Sequence, residues 1–144
     1  MLRKRRGHHY GDGRRDVVAF LRAWTADEYP ATKFAHATCV CRKKRFAVQL
    51  DDGAGVCVRT CAACGDRRPI ADGADYLEEA DLDECQCPCK SECFELTVGV
   101  ALYEDSDDVK WLYVALRCVE CSLVACYGDW KNEASDYREL FARV

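Results

Sequence analysis

An eight-residue phrase occurs twice in this chain, and it constrains everything around it. Cys39-Val40-Cys41-Arg42-Lys43-Lys44-Arg45-Phe46 returns as Cys87-Pro88-Cys89-Lys90-Ser91-Glu92-Cys93-Phe94. In both copies two cysteines flank one residue, and a Phe follows five positions after the second. Each copy is completed downstream by a Cys-x-x-Cys, Cys61-Ala62-Ala63-Cys64 for the first and Cys118-Val119-Glu120-Cys121 for the second. A tight pair, a strand-like excursion and a second tight pair present four thiolates to one tetrahedral zinc ion. Two such sets in one register read as an internal duplication, so two zinc ions are expected.

Twelve cysteines in 144 residues approach the density of a disulfide scaffold in a short secreted chain. The rest of the composition points elsewhere. The first fifteen residues are mostly Arg, Lys, His and Gly in place of an apolar signal segment. No run approaches the roughly 20 apolar residues of a membrane span. The expectation is a cytoplasmic chain off the membrane, where thiols stay reduced and paired pairs mean metal more often than disulfide. Spacing alone leaves disulfides open, and iron-sulfur ligation by four thiolates as well. Cys57, Cys85, Cys93 and Cys126 stand outside the repeat. They read as buried small hydrophobes, as a third metal site, or, in the case of Cys85, as a competitor of Cys87 for the second site.

The formal charge of −4 hides a split. Residues 1–45 hold 12 Lys and Arg against 4 Asp and Glu, whereas 46–144 hold 9 against 21. Such asymmetry bears on partners. Residues 1–15 have little to bury and predict a basic flexible arm, either gripping phosphates or simply solvated. Arg42, Lys43, Lys44 and Arg45 follow the first cysteine pair. They are a candidate nucleic-acid contact, or they offset the charge of four thiolates on zinc. Residues 73–84 read as an acidic linker.

Local patterning fills in the elements. Val17, Phe20, Leu21 and Trp24 fall on one helical face, with Asp16 as N-cap and Pro30 beyond the end. Phe46, Val48 and Leu50, a turn at Asp51-Asp52-Gly53, and Val56 and Val58 predict a hairpin inside a first module over 16–72. In a second module, 85–144, the alternation from Phe94 to Leu102 predicts a half-buried strand. Glu104, Asp105, Asp107 and Asp108 form an exposed turn, and Val109 to Leu116 returns with apolar residues on both faces, as a central strand does. A third strand near Leu123–Tyr127 leads to a closing helix capped by Ser135. Trp24, Trp111, Trp130 and Phe141 are the expected core anchors.

Cys-x-Cys, hairpin, Cys-x-x-Cys and third strand resemble a zinc ribbon, so Thr38 to Asp129 looks like two ribbons in tandem with a helix at either end. Family ribbons carry Cys-x-x-Cys at both ends, and the Cys-x-Cys ends here depart from that pattern. The resemblance implies a small zinc-stabilised α+β fold of antiparallel modules. It gives ligand roles to Cys39, Cys41, Cys61 and Cys64, and to Cys87, Cys89, Cys118 and Cys121. It does not fix function, because ribbons serve in nucleic-acid machines, adaptors and enzymes alike.

Catalysis is not expected. His36 is the only His outside the tail, with no nucleophile motif beside it. The deaminase pattern of His-x-Glu with Pro-Cys-x-x-Cys is missing its Glu and its spacing. Three functions remain. The first is a protein-interaction module, of the inhibitor, adaptor or immunity type, docking a basic partner through its acidic second half. Its contacts would be Tyr103, Glu104, Asp105, Asp107, Asp108 and Tyr127. The second is a nucleic-acid-binding accessory using the basic arm and Arg42 to Arg45, and the third is a zinc-thiolate redox sensor. Oligomeric state does not follow from the residues.

Overall fold

A computed structural model describes all 144 residues. The chain forms ten strands and two short α-helices, in one antiparallel sheet whose strands run, from edge to edge, β1 (Arg3–Arg5), β2 (His8–Tyr10), β10 (Leu123–Lys131), β9 (Val109–Cys118), β8 (Phe94–Leu102), β4 (Phe46–Asp51), β5 (Val56–Cys61) and β6 (Arg67–Pro69). The first copy supplies β4 (Phe46–Asp51), β5 (Val56–Cys61) and β6 (Arg67–Pro69). The second supplies β8 (Phe94–Leu102), β9 (Val109–Cys118) and β10 (Leu123–Lys131). Each copy is therefore a three-stranded meander whose middle strand ends in the first cysteine of its Cys-x-x-Cys. The copies meet where Phe46 pairs antiparallel with Phe94. An antiparallel rung between equivalent residues is what a local two-fold axis produces. Farther along, the edge of β8 is covered by β3 (Lys33–His36), which pairs with Thr97 to Val100.

The helix α1 (Arg14–Trp24) lies on the opposite side of β8, β9 and β10 from the larger core. Its buried residues are Val17, Phe20 and Leu21, three of the four positions that periodicity selects. Gly99 on β8 admits it, since a Cβ there would sit 3.0 Å from Leu21 Cδ1. On β9, Tyr113 and Ala115 face α1 while Leu112, Val114 and Leu116 face the larger core. That is why β9 is apolar on both sides. Trp24, expected as a core anchor, is 59 % exposed. It is the last residue of α1 and stacks on Phe20 at 5.5 Å. Among the other expected anchors, Trp130 is buried, whereas Trp111 and Phe141 are only partly so.

Several boundaries differ from expectation. Residues 1–15, expected as a flexible arm, hold a hairpin of β1 (Arg3–Arg5) and β2 (His8–Tyr10) and the start of α1. Arg6 and Gly7 take φ values of 52° and 84°, which suits a two-residue hairpin turn. Tyr10 pairs with Leu123 at the sheet edge, and the His9 ring meets Phe20 at 5.1 Å, so the few non-cationic residues anchor the hairpin. Gly13, not Asp16, occupies the N-cap, while Asp16 sits in the first turn and accepts from the Asp12 N–H at 2.7 Å. Residues 73–84, expected as a separate linker, form two 3-10 turns and β7 (Asp83–Glu84), which pairs with β4. Asp51 holds them there, accepting from the Asp81 N–H at 2.9 Å. The closing helix α2 (Tyr137–Phe141) is capped by Asp136 rather than Ser135. No helix is long and apolar enough to cross a membrane.

Candidate metal centres

Each tetrad is assembled by two tight loops at one end of a hairpin. In the first, Arg42 N–H donates to Cys39 O at 2.8 Å and Cys39 N–H to Lys43 O at 2.9 Å. In the second, Lys90 N–H donates to Cys87 O and Cys87 N–H to Ser91 O, both at 2.8 Å. Arg42 and Lys90 share the left-handed region at φ 73° and 81°. The opposing loops match as well, with Gly65 N–H to Cys61 O and Ser122 N–H to Cys118 O at 3.0 Å each. The repeat seen in the letters is thus also a repeat of backbone geometry.

The sulfurs converge. In each set, Cys39, Cys41, Cys61 and Cys64 or Cys87, Cys89, Cys118 and Cys121, all four Sγ atoms lie within 4.8 Å of one another. The shorter edges are Cys39–Cys64 at 3.5 Å and Cys41–Cys61 at 3.6 Å, matched by Cys87–Cys121 at 3.5 Å and Cys89–Cys118 at 3.6 Å. A regular tetrahedron with metal–sulfur bonds of about 2.3 Å has an edge of about 3.8 Å. A disulfide needs about 2.05 Å, and all twelve cysteines are free thiols. Sulfurs this close surround one ion and leave no room for a cluster of several irons. The two tetrads can each hold a metal ion.

Electrostatics favour thiolates at one corner of each site. The backbone N–H groups of Cys64 and, less strongly, Ala63 bring the Cys61 thiol down to about 6. Burial opposes the same effect at Cys118, yet the N–H groups of Cys121 and Glu120 bring it down to about 7. Cys39, Cys61, Cys87 and Cys118 are buried, while Cys41, Cys64 and Cys89 face solvent and Cys121 is half-buried. Four sulfurs complete the coordination of a tetrahedral ion.

The remaining cysteines join neither cluster. Burial pushes Cys57 up and takes Cys85 and Cys126 to about 12, the opposite of a reactive thiolate. Cys93 is partly exposed in the wall of an open groove of about 490 Å³ lined by Arg42 to Arg45, Ala62, Ala63 and Glu95.

The candidate contacts at the far end of the second hairpin divide. Glu104, Asp105, Asp107 and Asp108 are exposed, with Asp107 paired to Arg138 at 3.1 Å. Tyr103 is 41 % exposed and donates to Glu133 at 3.0 Å. Tyr127, expected as an exposed contact, is instead half-buried, its ring against Phe94 at 5.4 Å. A β-bulge between Cys126 and Gly128 breaks the alternation that the expectation relied on.

Sequence reasoning missed an aromatic and acidic belt beside that tip. Trp24, Asp27, Glu28, Tyr113 and Asp129 line a cleft of about 430 Å³. Trp111 Nε1 donates to Asp129 at 2.9 Å, and the Trp111 ring meets Tyr29 at 5.2 Å. Lys110 lies over both Tyr29 and Tyr103. No signal in the letters marks this belt, because the spacing of Trp24 places it with the core residues of α1. No protein-family model, no curated protein and no solved structure matches the chain.

Proposed function

We propose that this chain is a non-catalytic docking module for a basic protein, built on two zinc-ribbon-like units. Zinc is the ion assigned to both tetrads, because tetrahedral thiolate sets with these spacings suit it and four sulfurs leave no position for an activated water. Spare thiols held protonated by burial, whether complete at Cys57 or partial at Cys93, fit a reducing compartment, which we take to be the cytoplasm. They also count against redox sensing.

The contact belt carries the reading. From Trp24 through Asp129, Trp111, Tyr29 and Lys110 to Tyr103 and Glu133, each residue touches or shares a cleft with the next. Lys110 already shows the mode over Tyr29 and Tyr103, and the exposed Trp24 ring beside Asp27, Glu28 and Asp129 can hold a partner's Lys or Arg by both ring face and charge. The acidic tip Glu104–Asp108 adjoins Tyr103 and adds a long-range field that speeds association with a basic partner.

Affinity capture from the native host tests this, with mass spectrometry of what is retained at low and high salt. The expected partner is a basic protein, lost at high salt and lost when Asp105, Asp107 and Asp108 are changed to Lys together with Trp24→Ala. Zinc content and melting temperature should not move in that variant. Retention of the same partner by the variant, or an acidic partner, would overturn the assignment.

A further inference from the structure

We propose that the groove between the first Cys-x-Cys loop and β8 binds the phosphate backbone of nucleic acid. It is a second binding surface, independent of the acidic belt and at the other end of the β8–β9 hairpin. Four cations, Arg42, Lys43, Lys44 and Arg45, are exposed around it. None of them forms an ion pair, whereas Arg3, Arg68, Arg117 and Arg138 each hold a carboxylate. The one acid in the wall, Glu95, is taken by Arg117 at 2.8 Å.

The duplication supplies an internal comparison. If these cations served to offset the charge of a four-thiolate ion, the second site would need them too. That site has the same sulfur geometry and the same loop bonds, yet it carries Lys90-Ser91-Glu92-Cys93, whose formal charges cancel. The metal centre therefore does not require the cations of the first loop, and an external anion does account for them.

The positive surface continues beyond the groove. Arg14 of α1 donates to Ala37 O at 3.0 Å and to Thr38 Oγ1 at 2.9 Å, next to Cys39. The His36 pKa is lowered by burial first and then by Arg14, with Glu95 opposing and Lys44 adding a smaller lowering. The apolar part of the wall is small, Ala62, Ala63 and Cys93, with no aromatic ring on which a base could stack. Recognition is thus of phosphates and not of base sequence.

Fluorescence anisotropy of the full zinc-loaded chain with labelled DNA of about 20 nucleotides, single- and double-stranded, from about 20 to 200 mM salt tests the proposal. Binding should be indifferent to sequence, and four phosphate contacts give a log–log salt slope of up to about −3.6 on duplex. Arg42→Glu with Lys44→Glu should weaken binding at least about tenfold and lower the slope by about 2. Lys90→Glu in the second loop should leave affinity within about twofold, and both variants should retain two zinc ions. No binding at the lowest salt overturns the proposal, as does an equal loss from Lys90→Glu. So does poly-glutamate competing with DNA on equal terms at matched charge, which would identify an acidic protein as the occupant.

Discussion

Phe46 and Phe94, equivalent residues of the two copies, face each other as the single paired rung joining β4 to β8. Both are completely buried. The Arg59 guanidinium lies over the Phe46 ring at 4.8 Å, and Tyr127 meets Phe94 edge-on at 5.4 Å. The junction of the repeat is thus a packed core contact rather than a hinge.

Truncating either ring should therefore act on the whole molecule. Phe46→Ala and Phe94→Ala should each cost about 3–5 kcal/mol, and both should lower one shared unfolding transition seen by calorimetry. Two separated transitions, with only the mutated copy affected, would show that the copies fold independently.

Metal content should follow the tetrads. The purified chain should carry two zinc ions, each adding on the order of 10 kcal/mol or more to folding at neutral pH. Cys41→Ser or Cys121→Ser should leave one ion per chain by native mass spectrometry, and Cys126→Ser should leave two. Iron in their place, or an intact mass that reveals disulfides after extraction from reduced cells, would remove the assignment.

Alkali should weaken the fold in a defined window. Burial, followed by Asp52 and Asp129 respectively, pushes Cys85 and Cys126 to about 12, and burial takes Tyr113 to about 12 also. Raised acids keep the folded state fully stable below their ordinary values, 9.0 for the thiols. Above that the unfolded chain ionises first, so stability declines as pH rises toward 12. Melting temperature against pH should show this limb, and Cys126→Ser should make it shallower.

The tryptophans should separate by burial. Trp24→Ala should change stability by no more than about 0.5 kcal/mol, as exposed positions do, whereas Trp130→Ala should cost about 3–5 kcal/mol. Trp130 Nε1 is buried without a partner, so Trp130→Phe should cost much less than the alanine change. Denaturant midpoints for the three variants decide this.

Both tetrads were legible in the sequence because metal ligation needs particular residues at particular spacings, and the repeat gave the register twice. The hairpins were legible for the same reason, with Phe46 to Leu50 and Phe94 to Leu102 alternating around recognisable turns. What composition hid were tertiary effects. The cationic run before Gly7 looks solvated, yet Tyr10 and His9 find neighbours at the edge of β10 that no local pattern announces. Arg59 follows Val58 on β5, where alternation would put a charged side chain on the outer face. It is buried because the last residues fold over β5, where it donates to Val144 O at 3.1 Å. Tyr127 was misplaced because one extra residue in β10 reverses which face a side chain takes.

The shared edge of β8 bears on any attempt to isolate the second copy. Along that edge β3 covers Thr97 to Val100 and β4 covers Phe94, and both precede Cys85 in the chain. A fragment starting there would keep its metal site but bare one side of a nine-residue strand, Phe-Glu-Leu-Thr-Val-Gly-Val-Ala-Leu, with little charge and no proline. Such an edge is a template for strand addition by other molecules, so the excised copy should aggregate even with its zinc in place.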